Sequence, residues 1–371
     1  MRILLLSAYS AQSHQSWCDN VMAMFPGCEW TLLSLPGRYF NWRIRGNALS
    51  WGVGQREVLD KQYDLVLATS MVDCATLRGL VPKLAVIPWR VYFHENQFEY
   101  PVSSRNDHTE PKMVSLYNVL CADKIVFNTQ YNYRTFISGL SSFLKKMPDG
   151  VPLETIASIT PKCEIIPVPI KINQSIAMKK NNNRVPVLLW NHRWEYDKGP
   201  QQLYNLLVEL EQRKFAFKLN LIGQQFRALP EALLKIKQDF PNVLLNYGFI
   251  ESGDEYRNIL AASDFVLSTS LHDFQGLAIL EAVVAGCIPV VPSRLAYTEI
   301  FPEQYCYASD LLLPEIEAEK MADKLIELDN MRDKIDLDEI NIAKFSLENL
   351  KPYYSKLLFD NQVTLGNSFS G

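Results

Sequence analysis

Short apolar, often β-branched runs recur along the chain, separated by stretches long enough for a helix. In the first half they are Ile3–Leu6, Trp30–Leu33, Leu65–Ala68, Arg90–Phe93, Lys124–Asn128 and Cys163–Pro167. In the second half they are Val187–Trp190, Leu219–Ile222, Val243–Tyr247, Phe265–Ser268 and Ile288–Val291. Helical stretches fall between them at Ser13–Phe25, Met113–Ala122, Pro200–Arg213, Glu231–Gln238 and Asp254–Ala262. Near-continuous apolar runs alternating with helices predict parallel strands covered on both faces. The pattern occurs twice, so the expected fold class is α/β, with doubly wound domains at 1–172 and 185–344. Polar, basic Asn173–Arg184 reads as the linker between them. The amphipathic stretch Phe345–Phe359 is predicted to be helical, within a C-terminal segment 345–371 whose last dozen residues fray.

Length supports the two-domain reading, because 371 residues exceed one ordinary core. The hydrophobic share of 48% and charged share of 21% are ordinary globular values. Seven scattered cysteines with no Cys-x-x-Cys pair argue against a disulfide framework or structural zinc, and for a reducing, cytoplasmic setting. Met1–Leu6 is followed by polar loop residues, so it reads as a first strand rather than a signal peptide. No run approaches the roughly 18 apolar residues of a membrane span, so no membrane partner is expected. The net charge of −4 provides no global basic field, and a nucleic acid would need a local patch.

Candidate chemistry concentrates in 264–292, read as strand, loop, helix, strand. Asp273 and Glu281 lie eight positions apart, with Gly276 in the turn between them. A helix starting near Gly276 puts Asp273 at its N-terminus and Glu281 a turn or more inside. Both then sit at the C-terminal edge of a parallel sheet, where open α/β folds bind ligands. Free N–H groups at the helix start suit a phosphate, and the two carboxylates suit sugar hydroxyls. In Asn191–Pro200, Arg193 and Lys198 are spaced to converge on one anion; two solvated loop cations would look the same. A third segment, Tyr92-Phe93-His94-Glu95-Asn96-Gln97, places a histidine at a strand end, where it could meet a ligand or cap a turn. No metal-ligand spacing appears, and no metal is expected. Finally, Arg38–Trp51 interleaves Arg38, Arg43 and Arg45 with Tyr39, Phe40, Trp42 and Trp51. Guanidinium groups can pair phosphates while rings stack bases; an arginine-rich loop over core aromatics is the alternative. Lys83, Arg90, Lys112, Lys145 and Lys146 would extend the patch.

Taken together, Arg193, Lys198, Asp273 and Glu281 resemble the signature of GT-B glycosyltransferases of retaining family 4, where the first carboxylate is usually Glu. A closer resemblance is to the tRNA-queuosine α-mannosyltransferases. It rests on Tyr92–Gln97, Tyr39–Arg45, Val126–Asn128, His192–Lys198 and Ile300–Tyr305, and extends from Met1 to about Lys356. One departure is the first loop, Ser7–His14, which lacks the glycines usual before Ser13-His14 in that family.

The resemblance implies a GT-B fold: two Rossmann-like domains facing a central cleft, with a C-terminal helix crossing back to the first. It implies transfer of mannose from GDP-mannose to the cyclopentenediol of queuosine at the wobble position of tRNA(Asp), with retention and without a metal or other cofactor. Arg193 and Lys198 would neutralise the diphosphate, Glu281 bind the ribose and Asp273 the mannose hydroxyls. Phe274, Gln275, Gly276 and Leu277 would complete the donor site, and His94 would touch the sugar. Ser13, His14, Arg38, Trp42, Arg43, Arg45, Glu95, Asn96 and Asn128 would face the acceptor RNA. Two other readings stay open: a GT-B enzyme acting on a lipid, polysaccharide or other small acceptor, and a nucleotide- or RNA-binding protein without turnover. The residues leave the oligomeric state open.

Overall fold

The computed structural model describes residues 1–100, 109–148, 150–152, 154–172, 185–226 and 228–360. The linker read in Asn173–Arg184 and the frayed end beyond Asp360 lie outside the described residues. The chain forms two compact units, Met1–Pro169 together with the segment from Leu347, and Ile170–Ser346.

The first unit holds a six-stranded sheet of β1 (Arg2–Ser10), β2 (Glu29–Pro36), β3 (Leu65–Thr69), β4 (Trp89–Phe93), β5 (Lys124–Phe127) and β6 (Cys163–Ile165). Their order is β2-β1-β3-β4-β5-β6, and every pairing is parallel. β3 and β4 are buried at every position, as the continuous apolar runs require of strands covered on both faces. The longer helices of this unit are α1 (Gln12–Met24), α2 (Phe40–Gly52), α3 (Cys74–Leu80), α4 (Thr109–Cys121) and α5 (Gln130–Leu144). The second sheet holds β7 (Val187–Trp190), β8 (Lys218–Ile222), β9 (Leu244–Gly248), β10 (Phe265–Leu267), β11 (Ile288–Pro292) and β12 (Cys306–Tyr307). Its order is β12-β11-β10-β7-β8-β9, again parallel throughout. Its longer helices are α6 (Pro200–Gln212), α7 (Glu231–Asp239), α8 (Gly253–Ala262), α9 (Leu277–Val284) and α10 (Pro314–Asn330). The last helix, α11 (Leu347–Phe359), groups with the first unit, so the chain leaves that unit, builds the second and returns.

Two expectations are corrected. Arg38–Trp51 is not a loop but largely the helix α2, which buries Ile44, Ala48 and Trp51 in the first core. Trp51 is therefore no stacking ring. Arg90 is not a surface cation either. It is 1% exposed in β4, and its guanidinium donates to the carbonyls of Leu357 and Asp360, both at 3.2 Å.

Candidate active site

In the second sheet, chain order reverses between β7 and β10, the adjacent strands from which connections run in opposite directions. Loops leaving the two carboxyl ends diverge there and leave a crevice, the usual ligand position in this kind of sheet. The loop after β7 carries Arg193 and Lys198; the loop after β10 carries Asp273. Hydrogen bonds donated by the loop after β10 to the loop after β7 tie the two together. Leu271 and His272 donate their backbone N–H groups to the Asp197 carbonyl at 2.8 and 3.1 Å, and the Thr269 hydroxyl donates to the Lys198 carbonyl at 2.8 Å. Gly199 enters α6 in a left-handed conformation, φ 65°, and a Cβ there would collide with the Thr269 carbonyl. Glycine is required by both conformation and space.

Lys198 is buried. Its ammonium donates to the His272 carbonyl at 2.9 Å and pairs with Asp197 at 3.3 Å and Asp273 at 3.4 Å. Burial pulls its pKa down, but Asp273 and Asp197 outweigh it and the pKa is raised. For Asp273, burial favours the neutral form. Lys198 and the N–H groups of Gly276 and Gln275 outweigh it, holding the carboxyl well below its ordinary value. A buried, oppositely charged pair therefore stands ionised between the two loops. Arg193 is half-buried, 2.9 Å from Glu195, and its charge registers on the Lys198 ammonium, so the two cations do lie in one field. His192 and His272 flank them, and burial followed by the Lys198 charge pushes both down to about 4.

α9 begins at Leu277, directly after Gly276 in a left-handed conformation (φ 68°). Phe274 and Gln275 are buried in the preceding turn, and Leu277 is half-buried. Glu281 follows in the second turn of α9. As a residue it is exposed, yet enough protein surrounds its carboxyl that desolvation raises its pKa, opposed by a hydrogen bond from the Tyr256 hydroxyl at 3.2 Å. Asn191 donates to that hydroxyl at 3.1 Å and to the Ala278 carbonyl at 3.0 Å. Sequence reasoning missed Asn191, Tyr256 and Tyr297, whose hydroxyl reaches Asp273 at 3.2 Å. No local spacing links them to the carboxylates they hold.

In the first unit, His94 follows β4 and stacks on His14 of α1, with ring centroids 4.2 Å apart and planes 22° apart. Trp17 and Tyr92 pack around it at 4.8 and 4.7 Å. Burial, then the His14 charge, pushes His94 well below its ordinary pKa, and its Nε2 is buried without a hydrogen-bond partner among the described residues. Such an atom has a donor or acceptor to offer a ligand. Ser13 is exposed on the first turn of α1, and Glu95 is half-buried. Asn96 and Asn128 are committed to the protein itself. The Asn96 amide donates to Asn132 and Thr135 and accepts from the N–H groups of Phe98 and Glu99, both at 3.1 Å. Asn128 donates to the His94 carbonyl at 2.9 Å and accepts from Asn132 at 2.8 Å. These two asparagines set the loop that presents His94.

On α2 and in the two residues before it, the expected RNA-facing residues separate. Arg38, Tyr39 and Trp42 are exposed, with the Arg38 guanidinium 5.6 Å from the Tyr39 ring. Arg43 is half-buried. Arg45 is exposed but bound to Asp73 at 2.8 Å and Glu110 at 3.5 Å. Among the described residues no three His, Cys, Asp or Glu side chains gather as a metal cage would need, and no helix is long and apolar enough to cross a membrane.

Residues 2–170 match the family described as tRNA-queuosine alpha-mannosyltransferase N-terminal, and residues 185–330 match glycosyl transferases group 1. A tRNA-queuosine alpha-mannosyltransferase from Drosophila melanogaster is 30% identical over 369 residues, covering 95% of each chain. Among solved structures, a sucrose-phosphate synthase from Thermosynechococcus elongatus superposes with a TM-score of 0.70 at 13% identity, over 96% of this chain and 98% of that one. TarM superposes with a TM-score of 0.58 at 15% identity, over 83% of this chain, which spans only 58% of TarM. The structural likenesses give the GT-B fold, and the sequence relationship gives the rest: this chain is a glycosyltransferase and belongs to the tRNA-queuosine alpha-mannosyltransferase family.

Proposed function

We propose that the chain transfers mannose from GDP-mannose to a cyclopentenediol hydroxyl of queuosine in the tRNA(Asp) anticodon, with retention at the anomeric carbon. The observation that carries this reading is the relationship to a named tRNA-queuosine alpha-mannosyltransferase along 95% of both chains. The reaction breaks the bond between mannose C1 and the β-phosphate oxygen, forms a bond from C1 to the diol oxygen, and releases GDP. The hydroxyl proton passes to a donor phosphate oxygen, so the protein need supply no general base. Its work is electrostatic. Negative charge grows on the departing diphosphate, and Arg193 and the buried Lys198 ammonium are set to meet it. The start of α9 adds free N–H groups. Glu281, braced by Tyr256, accepts from ribose hydroxyls. His94, neutral at physiological pH and with an unpartnered buried Nε2, suits a hydroxyl on the sugar.

An acceptor held in a membrane fits less well. α1 has no lysine or arginine, whereas a membrane-docking helix usually carries both basic and apolar faces. Nucleoside mass spectrometry, after incubation of queuosine-containing tRNA with GDP-mannose, tests the proposal. A hexose added to queuosine is expected with GDP-mannose and not with UDP-glucose. No hexosylated queuosine with any nucleotide sugar would overturn the acceptor assignment, and transfer from a uridine donor would overturn the base.

A further inference from the structure

Between the end of β10 and the start of α9 the chain forms no regular element. Ser268, Thr269 and Ser270 are nevertheless wholly buried, so their carbonyls need donors from outside the loop. Two side chains supply them. The Tyr307 hydroxyl, at the end of β12, donates to the Ser268 carbonyl at 2.9 Å. Arg294, in the loop after β11, donates to the Ser270 carbonyl from Nε at 3.2 Å and from Nη2 at 3.0 Å. Its remaining nitrogen, Nη1, donates to Ser309 Oγ and to Glu317 Oε1. The Ser309 hydroxyl donates to the same Glu317 oxygen at 2.9 Å. Glu317 lies in the first turn of α10 and is 3% exposed, and its Oε2 has no hydrogen-bond partner among the described residues. A buried carboxylate left half-satisfied recovers little of its desolvation cost. The pair is therefore a poor source of stability. What it does provide is a fixed, two-pronged donor under a loop carbonyl.

The loop held in this way is the one that holds Lys198. Two residues beyond Ser270, the His272 carbonyl accepts the Lys198 ammonium at 2.9 Å. The N–H groups of Leu271 and His272 are anchored on the Asp197 carbonyl. A shift of the Ser270 peptide therefore moves an oxygen that fixes the ammonium. We infer that Arg294, seated on Glu317, is a positioning residue for the diphosphate clamp: its grip on the Ser270 carbonyl sets the place of Lys198. Lysine is a point charge on a flexible stem and loses side-chain freedom when it clamps a phosphate. A loop fixed from behind imposes that order before the ligand arrives, which lowers the cost of binding. Arginine suits the task because one planar group reaches the carbonyl and the carboxylate together. The inference rests on the reading of Lys198 as the diphosphate clamp.

The test asks what the second phosphate of the nucleotide is worth, in the full-length protein. Affinities for GMP and GDP are measured by calorimetry, and the preference for GDP is compared between parent and variants. Should the parent bind UDP but not GDP, the guanine donor proposal fails and the comparison runs with UMP and UDP; if it binds neither, the donor proposal and the inference fall together. Lys198→Ala should lower the preference. An unchanged preference would remove Lys198 from the diphosphate, and the inference with it. Arg294→Met leaves Glu317 buried and unpaired, so its melting temperature should drop. Adding Glu317→Leu removes that charge and should recover most of the drop. The preference for GDP should nevertheless fall by roughly 5-fold in both variants, about 1 kcal/mol, because neither grips the Ser270 carbonyl. Affinity for GMP should change by less than about twofold. In a Lys198→Ala background the same two substitutions should lower the preference no further. A pair that serves stability alone predicts the opposite: the preference returns to the parental value as the melting temperature does. That result overturns the inference, as does a further fall in the Lys198→Ala background. Should the double variant fail to fold, Arg294→Lys carries the comparison, since it keeps a charge beside Glu317 and loses the fork; a parental preference in it overturns the inference.

Discussion

Three histidines, His94, His192 and His272, occupy surroundings that disfavour their charged form. Burial is the main cause for each, aided by His14 at His94 and by Lys198 at the other two. His192 and His272 sit at about 4 against 6.5 in an unfolded chain, so the unfolded state binds more protons as the pH falls below 6.5. Stability is then full above that value and is lost towards pH 4, with a limiting slope of about 1.4 kcal/mol per pH unit for each histidine. Asp273 is held below its ordinary value of 3.8, so the stability it contributes is lost only as the pH falls through 3.8 and below, under this window. The melting temperature should drop steeply between pH 6.5 and 4.5, and His192→Gln should drop less. A melting temperature independent of pH over that range would contradict the assignment. At this scale the sequence revealed the charged residues and hid their supports. Arg193, Lys198, Asp273 and Glu281 lie in two short segments. Tyr256 and Tyr297 act on Glu281 and Asp273 from 25 and 24 positions away, and Asn191 on Tyr256 from 65. Only the folded sheet brings such partners together.

Among the elements, α2 is the most instructive. Apolar runs marked most strands to within a residue or two, but α2 hid behind its interleaved arginines and aromatics, entered through Tyr39 in a left-handed conformation, φ 57°. Its helical turn sorts those residues by face. The Trp42 indole lies across Gly46, one turn on, so that a Cβ at 46 would meet the ring at 2.7 Å or less. The ring is thus pressed flat on the helix while remaining 54% exposed. A flat, supported, half-exposed indole is a good platform for an unpaired base, which is worth about 1–3 kcal/mol by alanine substitution. Trp42→Ala should weaken binding of queuosine-containing tRNA by roughly 10-fold, with the melting temperature and GDP affinity unchanged. Gly46→Ala should do the same by lifting the ring, although alanine is the better helix former by about 1 kcal/mol. Arg38→Ala should lower the salt slope of tRNA binding by about one. Arg45→Ala should instead cost stability, because it leaves Asp73, whose side chain is only 2% exposed, with the Thr76 N–H but without its charged partner. Filter-binding titrations over a salt series, with parallel melts, distinguish these outcomes. Trp42→Ala and Arg38→Ala binding tRNA like the parent at every salt concentration would remove α2 from the RNA surface.

Across the whole molecule, the return of the chain to its first unit is the feature with the largest structural consequence. The amphipathic pattern of the last helix was legible, but not the depth at which it would sit. α11 buries Leu350, Tyr354, Leu357 and Leu358. Tyr354 is wholly buried, accepts a hydrogen bond from Trp17 Nε1 at 2.9 Å and donates to the Pro167 carbonyl at 3.0 Å. Its ring stacks 6.3 Å from Tyr92, and Trp17 and Tyr92 both pack on His94. Arg90, inside β4, finds its acceptors at Leu357 and Asp360. Removing α11 would leave that guanidinium buried and unpaired and open the floor under His94. Chain ending at Ser346 should therefore lose amide protection in β1, β4 and α1, and keep it in β7, β8 and β10. Tyr354→Phe is the milder probe: it retains the ring and loses two hydrogen bonds, so about 1–3 kcal/mol of stability should go, measured by urea unfolding. Hydrogen exchange read by mass spectrometry localises each loss. Protection lost first in β7–β10 would show that the terminal helix supports the second unit instead, and would detach it from the packing around His94.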